Sequence, residues 1–247
     1  MELYENSQMY RCYVNEITLT RNTTDIVITG AHLQNKTDLD VQVVDMHSLP
    51  SIVNDFFTTF PNLRILVVSD ISVIQQGAFE NAHNLVRLTI QNSPLPVLPA
   101  YAFDGAPNIS TLYILACDTT VIDENALSGL TQLQTVTIIA KLQILPENVF
   151  SSLVNLERAF LAQNNIGTIH PALFDNNLKL ITAYFDGNRI NAVAKSLVDT
   201  LYARNINQFT FEGNNCGNST YHISYIDRVH AQLDQCYRNY EELVSLS

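Results

Sequence analysis

Four cysteines and six histidines are the residues of this 247-residue chain best suited to chemistry. Cys12, Cys117, Cys216 and Cys236 form no C-x-x-C, and no histidine pair lies near a cysteine pair at ligand spacing, so a zinc site has no frame. His32, His47, His83, His170, His222 and His230 fall in no catalytic pattern. G-x-S-x-G, P-loop, H-E-x-x-H and G-x-G-x-x-G are all lacking. The expectation is no catalytic residue, no metal and no cofactor. Cys216 and Cys236 are spaced for a disulfide closing a loop of about 20 residues, a constraint of about 3 kcal/mol. The alternative is that Cys236 bonds another chain. Cys117 reads as a buried structural thiol in preference to a nucleophile. Cys12 has no close neighbour in sequence; it is free, pairs across the structure, or has lost a partner.

The elements that position these residues are visible in one stretch, Leu156-Glu-Arg-Ala-Phe-Leu-Ala-Gln-Asn-Asn-Ile166. Its pattern, L-x-x-A-x-L-x-x-N-x-I, is that of a leucine-rich repeat with Ala159 in place of one leucine. The copy at Leu180-Ile-Thr-Ala-Tyr-Phe-Asp-Gly-Asn-Arg-Ile190 follows at 180 − 156 = 24 residues. The fold class expected is an α/β leucine-rich repeat solenoid, a horseshoe with a parallel concave sheet of about nine strands. Strand cores fall at Ile26–Ile28, Val44–Met46, Leu66–Val68, Leu88–Ile90, Leu112–Ile114, Val136–Ile138, Ala159–Leu161, Ala183–Phe185 and Phe209–Phe211. The convex side is expected to be irregular or to hold single helical turns, as at Pro99–Phe103 and Pro146–Phe150. Phe57, Phe79, Phe103, Leu127, Phe150 and Phe174 recur there as a second apolar spine.

Asn164, Asn188 and Asn214 take the asparagine place of the repeat, where the side chain satisfies backbone groups at the turn. Ser93, Cys117, Leu49 and Ile71 replace it in earlier coils. Fewer such bonds predict a more irregular N-terminal half.

Strand side chains alternate, so residues between the core leucines face the concave surface. One outward column reads Val27, Asp45, Val67, Thr89, Tyr113, Thr137, Phe160, Tyr184, Thr210. The next reads Thr29, His47, Ser69, Gln91, Leu115, Ile139, Ala162, Asp186, Glu212. Tyr113, Leu115, Ile139, Phe160 and Tyr184 fall in consecutive coils and predict an apolar, aromatic patch of the kind that binds protein partners. A tolerant sheet surface, or cover by the protein's own loops, is the competing reading.

The chain carries 13 Lys+Arg against 24 Asp+Glu, a net charge of −11, which repels nucleic acid. With 47% hydrophobic and 15% charged residues it has the material for a core. No apolar run is long enough to span a bilayer. The acidic start, Met1-Glu-Leu-Tyr-Glu-Asn6, lacks the apolar stretch of a signal peptide. Yet four N-x-[ST] sequons, at Asn22, Asn35, Asn108 and Asn218, suit a glycosylated extracellular chain. The expectation is a secreted mature chain whose leader has been removed, with Met1 added for expression.

Three segments are expected: an N-terminal cap over residues 1–22, leucine-rich repeats over 23–215, and a C-terminal helical cap over 216–247. The first has alternating apolar residues suited to a capping strand or hairpin around Cys12–Leu19. In the last, Ile226, Val229, Leu233, Cys236, Tyr240 and Leu243 recur at helical spacing. That stripe serves a cap helix or the first turns of a longer coiled tail.

The repeats over about residues 23–215 resemble extracellular animal leucine-rich repeat proteins. The sparse-cysteine start Tyr10-Arg-Cys-Tyr-Val-Asn-Glu-Ile-Thr-Leu19 and the variable asparagine column are similar to insect members, especially the mosquito leucine-rich immune proteins. The resemblance implies a secreted, non-enzymatic recognition module in innate immunity, whose partner is another leucine-rich repeat chain or a complement-like factor. It also implies disulfide-linked pairing, which the missing extended coiled coil argues against in this sequence. An ectodomain of a cell-surface receptor or adhesion protein is the alternative.

Overall fold

The computed structural model describes residues 2–3, 9–14, 32–33, 35–53, 55–217, 220–221 and 225–246. Its main feature is one sheet in which the expected core residues lie opposite one another. Val44 pairs with Leu66, Leu66 with Leu88, Leu88 with Leu112, and Leu112 with Val136. Val136 pairs with Ala159, Ala159 with Ala183, and Ala183 with Phe209. Each coil adds one parallel strand and buries its apolar edge on the next, which is why a single repeat has no stability of its own. The two alanines leave room for larger rings behind them: Phe185 lies 6.3 Å from Phe174 and 5.8 Å from Phe209.

Among the described residues nine strands of this sheet run parallel, from Tyr10–Val14 to Gln208–Thr210. Glu2–Leu3 and Thr220–Tyr221 close the two ends antiparallel. The fold is the expected leucine-rich repeat solenoid, with a register that differs at its start. Ile26–Ile28 and its outward neighbours Val27 and Thr29 lie outside the described residues. The strand beside Val41–Met46 is Tyr10–Val14, with Cys12 opposite Val44.

The convex side holds the aromatic spine. Phe57, Phe79 and Phe103 follow at ring separations of 5.6 and 5.4 Å, and Phe150 stacks on Phe174 at 5.5 Å. Leu127 fills the place between these two runs, fully buried. Single turns close around the rings, as where the Val149 N–H donates to Pro146 O and the Asp104 N–H to Tyr101 O. Gly105 shows how tightly the coils stack here. Its φ is +97°, and a Cβ on it would lie 2.4 Å from the Phe79 carbonyl oxygen.

One coil departs from this pattern. Lys195–Ala203 is a helix of nine residues that buries Leu197, Val198 and Leu201. The Arg204 guanidinium holds its end by donating to the Phe174 and Asp175 carbonyls, at 2.6 and 2.8 Å. The terminal helix, Ile226–Ser245, buries Val229, Leu233, Cys236 and Tyr237. Its inner face is thus turned slightly from the predicted stripe: Tyr237 is inside, Tyr240 is half-buried, and Leu243 is exposed. Residues 241–246, at the end of the helix, are exposed. Cys216 and Cys236 form the expected disulfide, tying the helix to the last coil with Cα atoms 5.5 Å apart. His230 Nε2, 3.0 Å from Asp199 Oδ1, adds a contact between the two helices.

Among the described residues, strand length does not show the expected irregularity of the N-terminal half. Strands there have five or six residues, from Val41–Met46 through Thr135–Ile139. Arg158–Phe160, Thr182–Tyr184 and Gln208–Thr210 have three each. The asparagine column supplies the reason. Asn164 donates to the carbonyls of Ile138, Leu161 and Ala162, and its oxygen accepts from the N–H groups of Ala140 and Leu142. Asn188 likewise takes the Leu161 and Phe185 carbonyls, and Asn214 those of Phe185 and Phe211. Carbonyls bonded to a side-chain amide no longer serve the neighbouring strand, so paired ladder stops sooner. Where Ser93 or Cys117 stands instead, the substitute bonds fewer groups. Ser93 Oγ accepts from Ile71 N–H and donates to Gln91 O, and the Cys117 thiol points at the Leu115 and Ile90 carbonyls.

Candidate protein-binding face

The five residues singled out on the concave face are brought together. Tyr113 lies opposite Thr137, Thr137 opposite Phe160, and Phe160 opposite Tyr184, so one outward column runs through four adjacent strands. Leu115 lies opposite Ile139 in the second column. Neighbouring parallel strands lie ~4.8 Å apart, so the four positions of the first column form one continuous row. The Phe160 and Tyr184 rings meet edge to face, their centroids 4.9 Å apart, the favoured geometry for an aromatic pair. Tyr184 directs its hydroxyl to Gln208 Oε1, which fixes the ring.

Tyr113, Leu115, Phe160 and Tyr184 are half-buried, and Ile139 is 37% exposed. Phe160 and Tyr184 bury each other in part. The patch is two columns wide over Thr111–Leu115 and Thr135–Ile139. It narrows to one where the strands shorten, because the second column continues there as Ala162 and Asp186. Asp186 accepts from the Thr210 hydroxyl and from the Glu212 N–H. Arg87 and Arg158 are exposed at the start of their strands on the opposite margin, Arg158 paired with Glu157 at 3.2 Å. An apolar centre with charged rims is the layout of a protein-recognition surface.

The concave face also holds a serine, a histidine and an aspartate in proximity, which sequence reading had not connected. His47 Nδ1 lies 3.1 Å from Ser69 Oγ, and His47 Nε2 lies 3.7 Å from Asp45 Oδ1. The geometry is wrong for a nucleophile. Ser69 is 4% exposed, and its hydroxyl donates to Asp70 Oδ2 at 3.3 Å. The serine hydroxyl is thus directed at Asp70, and the His47–Asp45 contact exceeds hydrogen-bond reach. Among the described residues no group of three or more His, Cys, Asp or Glu could hold a metal ion.

Cys12 and Cys117 are buried free thiols. Burial pushes both above the ordinary thiol pKa; the N-terminal charge opposes this at Cys12 and hydrogen bonding with Ser93 and Leu115 opposes it at Cys117. Neither is primed for reaction. Of the sequons, Asn35 and Asn108 are exposed, while Asn22 and Asn218 lie outside the described residues. Asn108 donates to the His83 carbonyl at 2.7 Å. It belongs to a second amide row: Asn62, Asn84 and Asn155 donate in the same way to Leu39, Pro61 and Thr131. The signal for this row was present, since an asparagine directly precedes Leu63, Leu85, Ile109 and Leu156.

Comparison with known proteins agrees with this architecture. No curated protein matched the sequence. Among 263 matching solved chains is one from the Toll–Spatzle complex, described as a molecular hub in Drosophila development and innate immunity. Its TM-score is 0.57 at 16% identity, over 74% of this chain and 29% of the Toll–Spatzle chain, a likeness of fold. The chain thus spans under a third of that protein's length. The description "BspA type leucine rich repeat region" matches residues 50–181 in six copies. With over half its length so matched, and its coils stacked in register, the chain belongs to the BspA-type leucine-rich repeat family.

Proposed function

We propose that this chain is an extracellular, non-enzymatic recognition module that binds a protein partner through Tyr113, Leu115, Ile139, Phe160 and Tyr184. The observation that carries the proposal is the continuity of this patch across four adjacent strands. Large aromatic side chains held by their neighbours lose little entropy on binding and dominate interface energies. The Cys216–Cys236 disulfide suits an oxidising compartment, and the exposed Asn35 and Asn108 sequons fit the same setting. Innate immunity is the field we assign, with another leucine-rich repeat chain or a complement-like factor as partner. Among the described residues no helix is long and apolar enough to cross a membrane.

A second reading, the ectodomain segment of a larger receptor, is favoured by one observation: the fold likeness covers most of this chain but 29% of the Toll–Spatzle chain. The test is capture from extracellular fluid on immobilised chain, wild type beside Tyr113→Ser/Phe160→Ser/Tyr184→Ser. A partner retained by the first and lost, at least tenfold, by the second is expected. If every captured protein survives the triple change, the concave patch is not the interface.

A further inference from the structure

A large groove lies away from the aromatic patch. It has a volume of about 830 Å³ and follows the edge where the chain enters the strands, across five coils. Two rows line it. Asn62, Asn84, Asn108 and Gln132 stand two residues before Arg64, Val86, Ser110 and Gln134, with Leu63, Leu85, Ile109 and Leu133 between them pointing into the core. The alternation of an extended segment therefore places both rows on the outer side. Gln42 extends the second row by one coil.

The chemistry of the rows is unusual for so acidic a chain. Asp40 is the one carboxylate of the lining, and Lys36 and the Thr37 N–H hold it. Asn62, Asn84 and Asn108 each donate one N–H to the preceding coil. That bond fixes the amide plane and leaves the oxygen and the second N–H without a partner among the described residues. Arg64, Gln42, Gln132 and Gln134 make no side-chain hydrogen bond within the described chain. The groove is thus a row of amides repeated at the strand spacing of ~4.8 Å, three of them oriented by the preceding coil, beside a second row in which Gln42, Arg64 and Gln134 carry donors with no partner among the described residues while the Ser110 hydroxyl donates to the Val86 carbonyl.

We propose that this groove is a saccharide-binding site. Vicinal hydroxyls are donor and acceptor at once, as amides are, and a pyranose ring is about as long as the strand spacing. An extended peptide, rising ~3.4 Å per residue, would drift out of step with the coils. Nucleic acid is repelled by the net charge of −11. Oriented amides lower the ordering cost of binding, and the volume suits a short oligosaccharide. Two sources supply that chemistry: a free oligosaccharide, or an N-glycan of the chain itself, because the Asn108-Ile-Ser110 sequon lies in the lining.

The test has two arms. In the first, chain secreted into a bacterial periplasm, free of N-glycan, is titrated with linear tetrasaccharides of β-linked glucose, N-acetylglucosamine and mannose. Saturable binding of one of them, weakened at least tenfold in Gln42→Ala/Arg64→Ala/Gln134→Ala with an unchanged urea midpoint, is the result expected for a free ligand. In the second, chain made in secretory animal cells is treated with an endoglycosidase before and after denaturation. Release from Asn108 at least tenfold slower in the native chain assigns the groove to its own glycan. The proposal is overturned if binding is absent or unaffected by the triple change and, in addition, Asn108 is bare or equally labile in both states.

Discussion

The two halves of the solenoid solve the same turn differently. From Arg158 onward, Asn164, Asn188 and Asn214 gather the carbonyls that end each strand, and strands of three residues result. Before it, Ser93 and Cys117 bond fewer groups while Leu49 and Ile71 bond none, and strands run to five or six residues. The ladder residue does not make a coil more regular. It transfers hydrogen bonds from backbone pairing to a side chain, and so decides how wide the concave sheet is. The aromatic patch straddles the boundary: Leu115 and Ile139 exist as a second column because their strands are long.

The largest effect expected is at Asn164. Asn164→Ala strips buried partners from Ile138, Leu161, Ala140 and Leu142 and should cost about 4 kcal/mol in urea unfolding. Ser93→Ala, removing two bonds, should cost about 1 kcal/mol. Equal costs would erase the contrast between the halves. Replacing Cys216 and Cys236 by serine should cost about 3 kcal/mol, read as a fall in the same midpoint. A smaller change would mean that the terminal helix is held by packing alone.

The buried thiols test the N-terminal half by pH. Burial raises the Cys117 pKa in the folded chain, so the native state favours the protonated thiol. That contribution to stability is complete below the unfolded pKa of ~8.5 and is lost as pH rises through the higher folded value. Alkylation of Cys117 by iodoacetamide at neutral pH should be at least a hundredfold slower in the native chain than in urea. Comparable rates would mean that its coil opens readily. The smallest effect is expected at Ile139, whose side chain is exposed. Ile139→Thr should leave stability within about 0.5 kcal/mol, as measured by the urea midpoint. A larger loss would make the patch part of the scaffold.

Much of this was legible in the sequence because a solenoid repeats its instructions. Leu66, Leu88 and Leu112 announce the sheet by spacing, and Phe79, Phe103, Phe150 and Phe174 announce the spine. Strand length was not legible, since it depends on which carbonyls a neighbouring coil's side chain takes. The tight turns after the strands are equally silent. Asp70, Asn92, Ala116 and Gln163 adopt φ of +64°, +47°, +52° and +58°, and alanine and glutamine carry no signal for that conformation. The Lys195–Ala203 helix was missed because nine residues are too few to show a period, although the 26-residue step from Ala183 to Phe209 left room for it. Tyr113, Phe160 and Tyr184 were found by alternation alone, since each strand side chain has two faces to choose from. The amide groove escaped notice because its residues are ordinary one by one and acquire meaning only when stacked.

The central claim is that the concave aromatic patch, and not the convex spine or the flanks, meets the partner. Hydrogen exchange on the complex recovered by capture tests it most directly. Protection should be gained by peptides holding Thr111–Leu115, Thr135–Ile139, Arg158–Phe160 and Thr182–Tyr184. Protection confined to convex segments, such as those around Phe103 and Phe150, would contradict the account.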